Sequence, residues 1–325
     1  MAAAPEVGSV VTKTFAALLL LLGSPVFAQS EAPARVHGLV IAGLGGEPGY
    51  DRAFREQGAN YAAALRKLAG ASPGQQSNVH LLSGADANRE RVRRELAALA
   101  TNARPQDEVI IALLGHGSFD GEEYRFNLSG PDITGTELTT AFNALQARAQ
   151  LIVNTSSASG AVADRWKKPG RVVITATRSG TERNATRFGN FWVQALGDDS
   201  ADADKNGMLS AQEAFAFASR KVADSYKTDV ALATEHPRLV GDNAERVVAA
   251  RLAAIVAFAP DDRLNALLNQ REALDRELDT VRERKATLEA DNYYEELEKV
   301  LVRIALLRRQ IDARQLELKG GSSGA

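Results

Sequence analysis

Glu108-Val109-Ile110-Ile111-Ala112-Leu113-Leu114-Gly115-His116-Gly117 is the stretch whose reading decides the fold. After one charged position the run is continuously apolar, as in a strand buried on both faces of a helix-covered parallel sheet; a half-solvated strand would alternate. It breaks on a glycine and delivers a histidine to the carboxyl edge of the sheet, where α/β proteins gather their ligands.

The same unit recurs outward in both directions. Residues 36–42 form a mostly apolar run ending in Gly43-Leu44-Gly45-Gly46, a strand breaking into a tight loop. Residues 53–68 place Phe54, Tyr61, Ala64, Leu65 and Leu68 at helical spacing, 79–82 read as a short strand, and 89–100 as an amphipathic helix. Residues 138–149 read as a helix, 151–154 as a fourth strand running into Thr155-Ser156-Ser157-Ala158-Ser159-Gly160, and 171–176 as a fifth. Alternation of this kind predicts a three-layer α/β fold with a mainly parallel sheet. Gly43 to Gly46, His116, Gly117, the 156–160 loop and Thr177 to Gly180 should share one edge.

The chain has 325 residues, 45% hydrophobic and 25% charged, with a net charge of −2 and no cysteine. That balance argues against a nucleic-acid partner. The missing cysteines exclude disulfides, thiolate metal sites and a thiol nucleophile. Lys13 precedes an apolar run over 15–22, followed by Pro25 and Val26-Phe27-Ala28, which reads as a secretory signal over residues 1–28 with cleavage after Ala28. The run is far short of the ~20 residues that span a bilayer, and no longer one follows. A short linker over 29–35 leads into the main domain, and a secreted or periplasmic location is expected.

From Asp261 the character changes, since 26 of the 59 residues over 261–319 are charged. Leu267, Leu274, Val281 and Leu288 recur by sevens, as do Leu297, Ile304, Ile311 and Leu318. The step between the two runs is out of phase, and Asp291-Asn292 supplies turn chemistry there. Two antiparallel helices forming a coiled-coil hairpin are the first reading; one long helix that dimerises is the alternative. Residues 320–325 read as a flexible tail.

Leu113-Leu114-Gly115-His116-Gly117-Ser118 resembles the His-Gly segment of the legumain and caspase peptidases. Ile152-Val153-Asn154-Thr155-Ser156-Ser157-Ala158-Ser159-Gly160 resembles the strand that leads to the legumain nucleophile, with Ser157 where the cysteine stands. Residues 172–180, Arg187-Phe188-Gly189 and Glu235-His236-Pro237 are also similar to that branch, so the likeness covers roughly 36–250 within a domain expected over 36–258. The resemblance implies a caspase-like three-layer fold and a base and nucleophile at His116 and Ser157. It implies substrate contacts at Gly117 and at Arg52, beside the start of the first helix.

Serine is a demanding replacement for cysteine. A thiol is partly ionised near neutrality, whereas an alcohol needs a base in direct hydrogen-bond contact, normally oriented by a carboxylate whose loss costs on the order of 10⁴ in turnover. Asp120, Glu122 and Glu123 lie near His116 in sequence, and their spacing selects none. The expected activity is therefore that of a peptidase homologue without thiol chemistry, which binds a peptide or protein ligand. The alternatives are a serine-type hydrolase on the same frame, or a scaffold acting through its coiled coil with a partner or with itself.

Residues 202–213 match the twelve-residue EF-hand loop at every constrained position. Asp202, Asp204, Asn206, the Met208 carbonyl, Ser210 and bidentate Glu213 would ligate Ca2+, with Gly207 at the turn and Leu209 in the core. The same residues would also cap a helix without any ion.

Overall fold

The structure, a computed structural model, describes residues 34–70, 78–204, 206–252 and 261–321. The expected export signal lies outside them, with most of the linker and residues 322–325 of the expected tail. In chain order the elements are β1 (Val36–Ala42), α1 (Pro48–Leu68), β2 (Val79–Ser83), α2 (Arg89–Asn102), β3 (Glu108–Leu114), β4 (Gly117–Phe119), β5 (Tyr124–Phe126) and β6 (Ile133–Thr134). They continue with α3 (Gly135–Asn143), β7 (Ala149–Asn154), α4 (Ala163–Trp166), β8 (Arg171–Thr175), α5 (Phe188–Ala195), β9 (Met208–Ser210) and α6 (Ala211–Thr228). β10 (Arg238–Val240), β11 (Val248–Arg251), α7 (Asp262–Glu283) and α8 (Ala290–Gly321) complete the chain.

Six strands form the central sheet in the order β10-β8-β7-β3-β1-β2, parallel except for β10, which runs antiparallel to β8 at the edge. β1, β3 and β7 are buried at every position after the first, and β8 throughout. Successive side chains leave opposite faces of a strand, so one sheet feeds two cores. Val40, Ile110, Ala112 and Leu114 pack with Tyr61, Leu65 and Trp192 from α1 and α5, and with Phe217 from α6. Leu39, Ile41, Ile111 and Leu113 pack with Val92 and Leu96 of α2, Phe142 of α3 and Trp166 of α4. Each buried Val, Leu, Ile or Phe among them contributes roughly 1.5–3 kcal/mol.

Three local differences from the sequence reading have physical causes. The helix expected over 138–149 ends at Asn143. Thr134 starts it earlier through a capping box with Glu137, and Arg171 draws the Phe142 carbonyl and the Asn143 side chain into a buried guanidinium network with Gln150 and Trp166. The meander β4-β5-β6 has strands of two or three residues, too short for periodicity to register. The helical residues reach Gly321, so the expected tail over 320–325 begins as helix.

α7 and α8 are joined by a short turn over 284–286. Leu264 and Leu274 pack with Leu307 and Ile311, while Leu278 and Val281 pack with Tyr293 and Val300. Ion pairs Asp261–Arg314, Glu277–Arg303 and Arg284–Glu296 run in opposite order along the two helices. Among the described residues, no helix is long and apolar enough to cross a membrane.

Candidate functional site

The strand order reverses at β1, which is followed by β2 on one side while β3, β7 and β8 build out on the other. Loops leaving β1 and β3 diverge there, and the crevice between them is the usual ligand position of an open parallel sheet. The His116 ring bridges it by donating to the backbone of Gly45. Tyr50 and Phe54 from the start of α1 meet the same ring edge-on, with centroids at 4.7 and 5.0 Å. Burial lowers the His116 pKa below its ordinary value, outweighing the Gly45 bond and the Glu47 charge, which act to raise it. The ring therefore holds its proton less tightly than a free imidazole, which favours the neutral form.

The next residue brings this edge against the serine-rich turn. A Cβ on Gly117 would fall 2.6 Å from Ser156 Oγ and 2.7 Å from the Ser157 carbonyl, so only glycine allows β4 to lie on that turn. The structure thus brings the His116-Gly117 and Ser157 segments together. It does not join them chemically. Ser157 is 3% exposed, and its hydroxyl donates to the carbonyl of Asn184 at 2.8 Å; no hydrogen bond links it to His116 among the described residues. Ala158, in the left-handed region at φ 58°, donates its N–H to the Glu182 carbonyl at 2.8 Å. Thr186 donates its hydroxyl to the Thr155 carbonyl at 2.5 Å. The segment between β8 and α5 is stitched over the turn at three residues, Thr155, Ser157 and Ala158.

The carboxylates near His116 in sequence are engaged elsewhere. Asp120 accepts from the N–H groups of Glu122 and Glu123 and from Arg125, which hold it well below the usual carboxylate range. Glu123 accepts from Thr136 and Arg165, and Glu122 is exposed. No described carboxylate hydrogen-bonds to the imidazole. Arg52 projects as an exposed side chain from the helix start that also carries Tyr50 and Phe54.

Several supporting residues have no chemical signature in sequence. Tyr124 Oη, Ser156 Oγ and Asn154 Oδ1 form a buried network at 2.6–3.3 Å beneath the turn. Glu182 pairs with His236 Nδ1 at 2.6 Å and accepts from the Arg178 N–H. The Glu235 carboxylate, raised in pKa by burial, accepts from the N–H groups of Arg187 and Phe188 at the start of α5. The Glu235-His236 segment therefore anchors the same loop that covers Ser157.

In the 202–213 loop, Asp202, Asp204 and Glu213 bring carboxylate oxygens within 4.8 Å of one another. Burial raises the Asp204 pKa, and the nearby charges of Glu213 and Asp202 raise it further. Gly207 makes the turn at φ 81°, where a side chain would be strained, and Leu209 is fully buried. Asp202 accepts from the N–H groups of Asn206 and Gly207. Ser210 and Glu213 form the capping box that starts α6. β9, which contains the Met208 carbonyl, pairs antiparallel with β11.

No family model matches the chain, and no curated relative does. Among solved structures, it is similar to protein GSU0716 from Geobacter sulfurreducens at 13% identity and a TM-score of 0.43, over 67% of this chain and 100% of that one.

Proposed function

We propose that the chain is an exported legumain- and caspase-like peptidase homologue that has lost thiol peptidase chemistry and holds an extended peptide or protein segment at the crevice beside His116. The observation that carries this reading is the commitment of the Ser157 hydroxyl, at the position of the family's nucleophile, to the Asn184 carbonyl. An alcohol donating to a backbone acceptor, with no carboxylate behind the neighbouring imidazole, lacks the activation that serine hydrolysis needs. Tyr50, Phe54 and exposed Arg52 supply apolar and cationic contacts for an extended ligand. The 202–213 loop, within this domain, serves as a stabilising Ca2+ site. The tail serves as an antiparallel coiled-coil hairpin available to a partner.

The test is restoration of the thiol. Ser157→Cys should gain covalent labelling by thiol-directed peptidyl ketones, and His116→Ala in that background should remove it. An unlabelled cysteine variant would reject a retained peptidase-like crevice. A serine-type hydrolase on the same frame is the second reading, favoured by a neutral His116 one residue from the glycine packed on Ser157. It requires the 178–187 segment to release Ser157, and cleavage by the natural protein would establish it.

A further inference from the structure

The heptad positions of α7 and α8 face each other, yet α8 carries a second apolar stripe. Tyr294, Leu301, Val302 and Ala305, with Glu298 and the edge of the seam residue Leu297, line one groove of about 460 Å³. Their spacing is that of one helix face. Tyr294, Leu301 and Val302 are 59%, 43% and 50% exposed, although the hairpin has already buried the partners that the leucine repeat called for. A contiguous apolar groove rimmed by charge marks an interaction surface.

The charge pattern of α8 says what fits it. Residues 291–298 contain four acidic side chains and no basic one, whereas 299–310 contain four basic side chains and no acidic one. The stripe straddles that boundary. Two copies of α8 packed antiparallel about the centre of the stripe place each acidic block over the other's basic block, while parallel packing sets like charge on like. An antiparallel pair is also isologous, so the same groove on each copy closes the other. We propose that this face pairs with the same face of a second copy, giving a two-fold four-helix dimer with Tyr294 opposite the partner's Ala305. The inference is independent of any activity at Ser157.

Light scattering on the purified full chain should give twice the chain mass. Leu301→Glu combined with Val302→Glu should halve it and leave circular dichroism unchanged, because both side chains are exposed on the single chain, while melting loses the concentration dependence that association gives the natural protein. The absence of native cysteine makes orientation directly readable. Under mild oxidation, Ala305→Cys should crosslink with Tyr294→Cys in a mixture and not with itself, since antiparallel packing separates the two copies of residue 305 by roughly 16 Å along the helix. A natural chain of single mass, a double variant that keeps the doubled mass, or self-crosslinking at 305 without the mixed product would each overturn the proposal.

Discussion

The Ser157 hydroxyl donates to the Asn184 carbonyl at 2.8 Å, so the side chain at the expected nucleophile position ties a covering loop to the turn after β7. Its contribution should therefore be structural. Ser157→Ala removes this bond from a side chain that is itself buried and should cost about 0.5–1.5 kcal/mol in urea unfolding. Replacing a residue held for catalysis alone tends to be neutral or stabilising, so increased stability in this variant would contradict the assignment.

His116 makes a pH prediction. Its folded pKa is depressed by burial, so between that value and the ordinary 6.5 the unfolded chain binds more protons. Stability from this group is complete above 6.5 and is lost as pH falls through the folded value. The His116 ring resonance should titrate below 6.5 by NMR, and His116→Phe should flatten the pH dependence of the melting temperature in that window. A midpoint at or above 6.5 would refute the buried neutral ring.

The central sheet was legible because its strands are buried on both faces and read as unbroken apolar runs; β1 and β3 fall on the residues expected. The meeting of His116-Gly117 with the Ser157 turn was legible for a related reason, since adjacent parallel strands deliver their loops to one edge. What covers Ser157 was not. Asn184 and Glu182 act through backbone carbonyls, which leave no residue signature, and Glu235 reaches α5 from 47 residues away. The outer stripe of α8 was hidden by the stronger seven-residue repeat. Arg171 was read only as the first residue of a strand, yet it is 1% exposed and bonds only to neutral acceptors, with burial drawing its pKa down to about 10.

Calcium binding should show as folded-state stabilisation. Three carboxylates crowded within 4.8 Å repel one another, and a divalent cation relieves that repulsion. With an affinity near ~10⁻⁴ M, as in extracellular modules, about 1 mM calcium should add about 1.4 kcal/mol and raise the melting temperature. Glu213→Gln should abolish the shift. Asp204→Asn should weaken it and, by removing one like charge, leave the calcium-free protein no less stable. Identical melting in calcium and in chelator would remove the site.

The central claim is that the natural crevice performs no serine hydrolysis, and intact-mass measurement after exposure to peptidyl phosphonates tests it most directly. These reagents form a stable adduct with an activated serine and leave an unactivated one alone. The account predicts an unchanged mass for the natural protein across a panel of peptidyl sequences. A phosphonate adduct mapped to Ser157 and lost in His116→Ala would contradict it and would identify a working serine nucleophile.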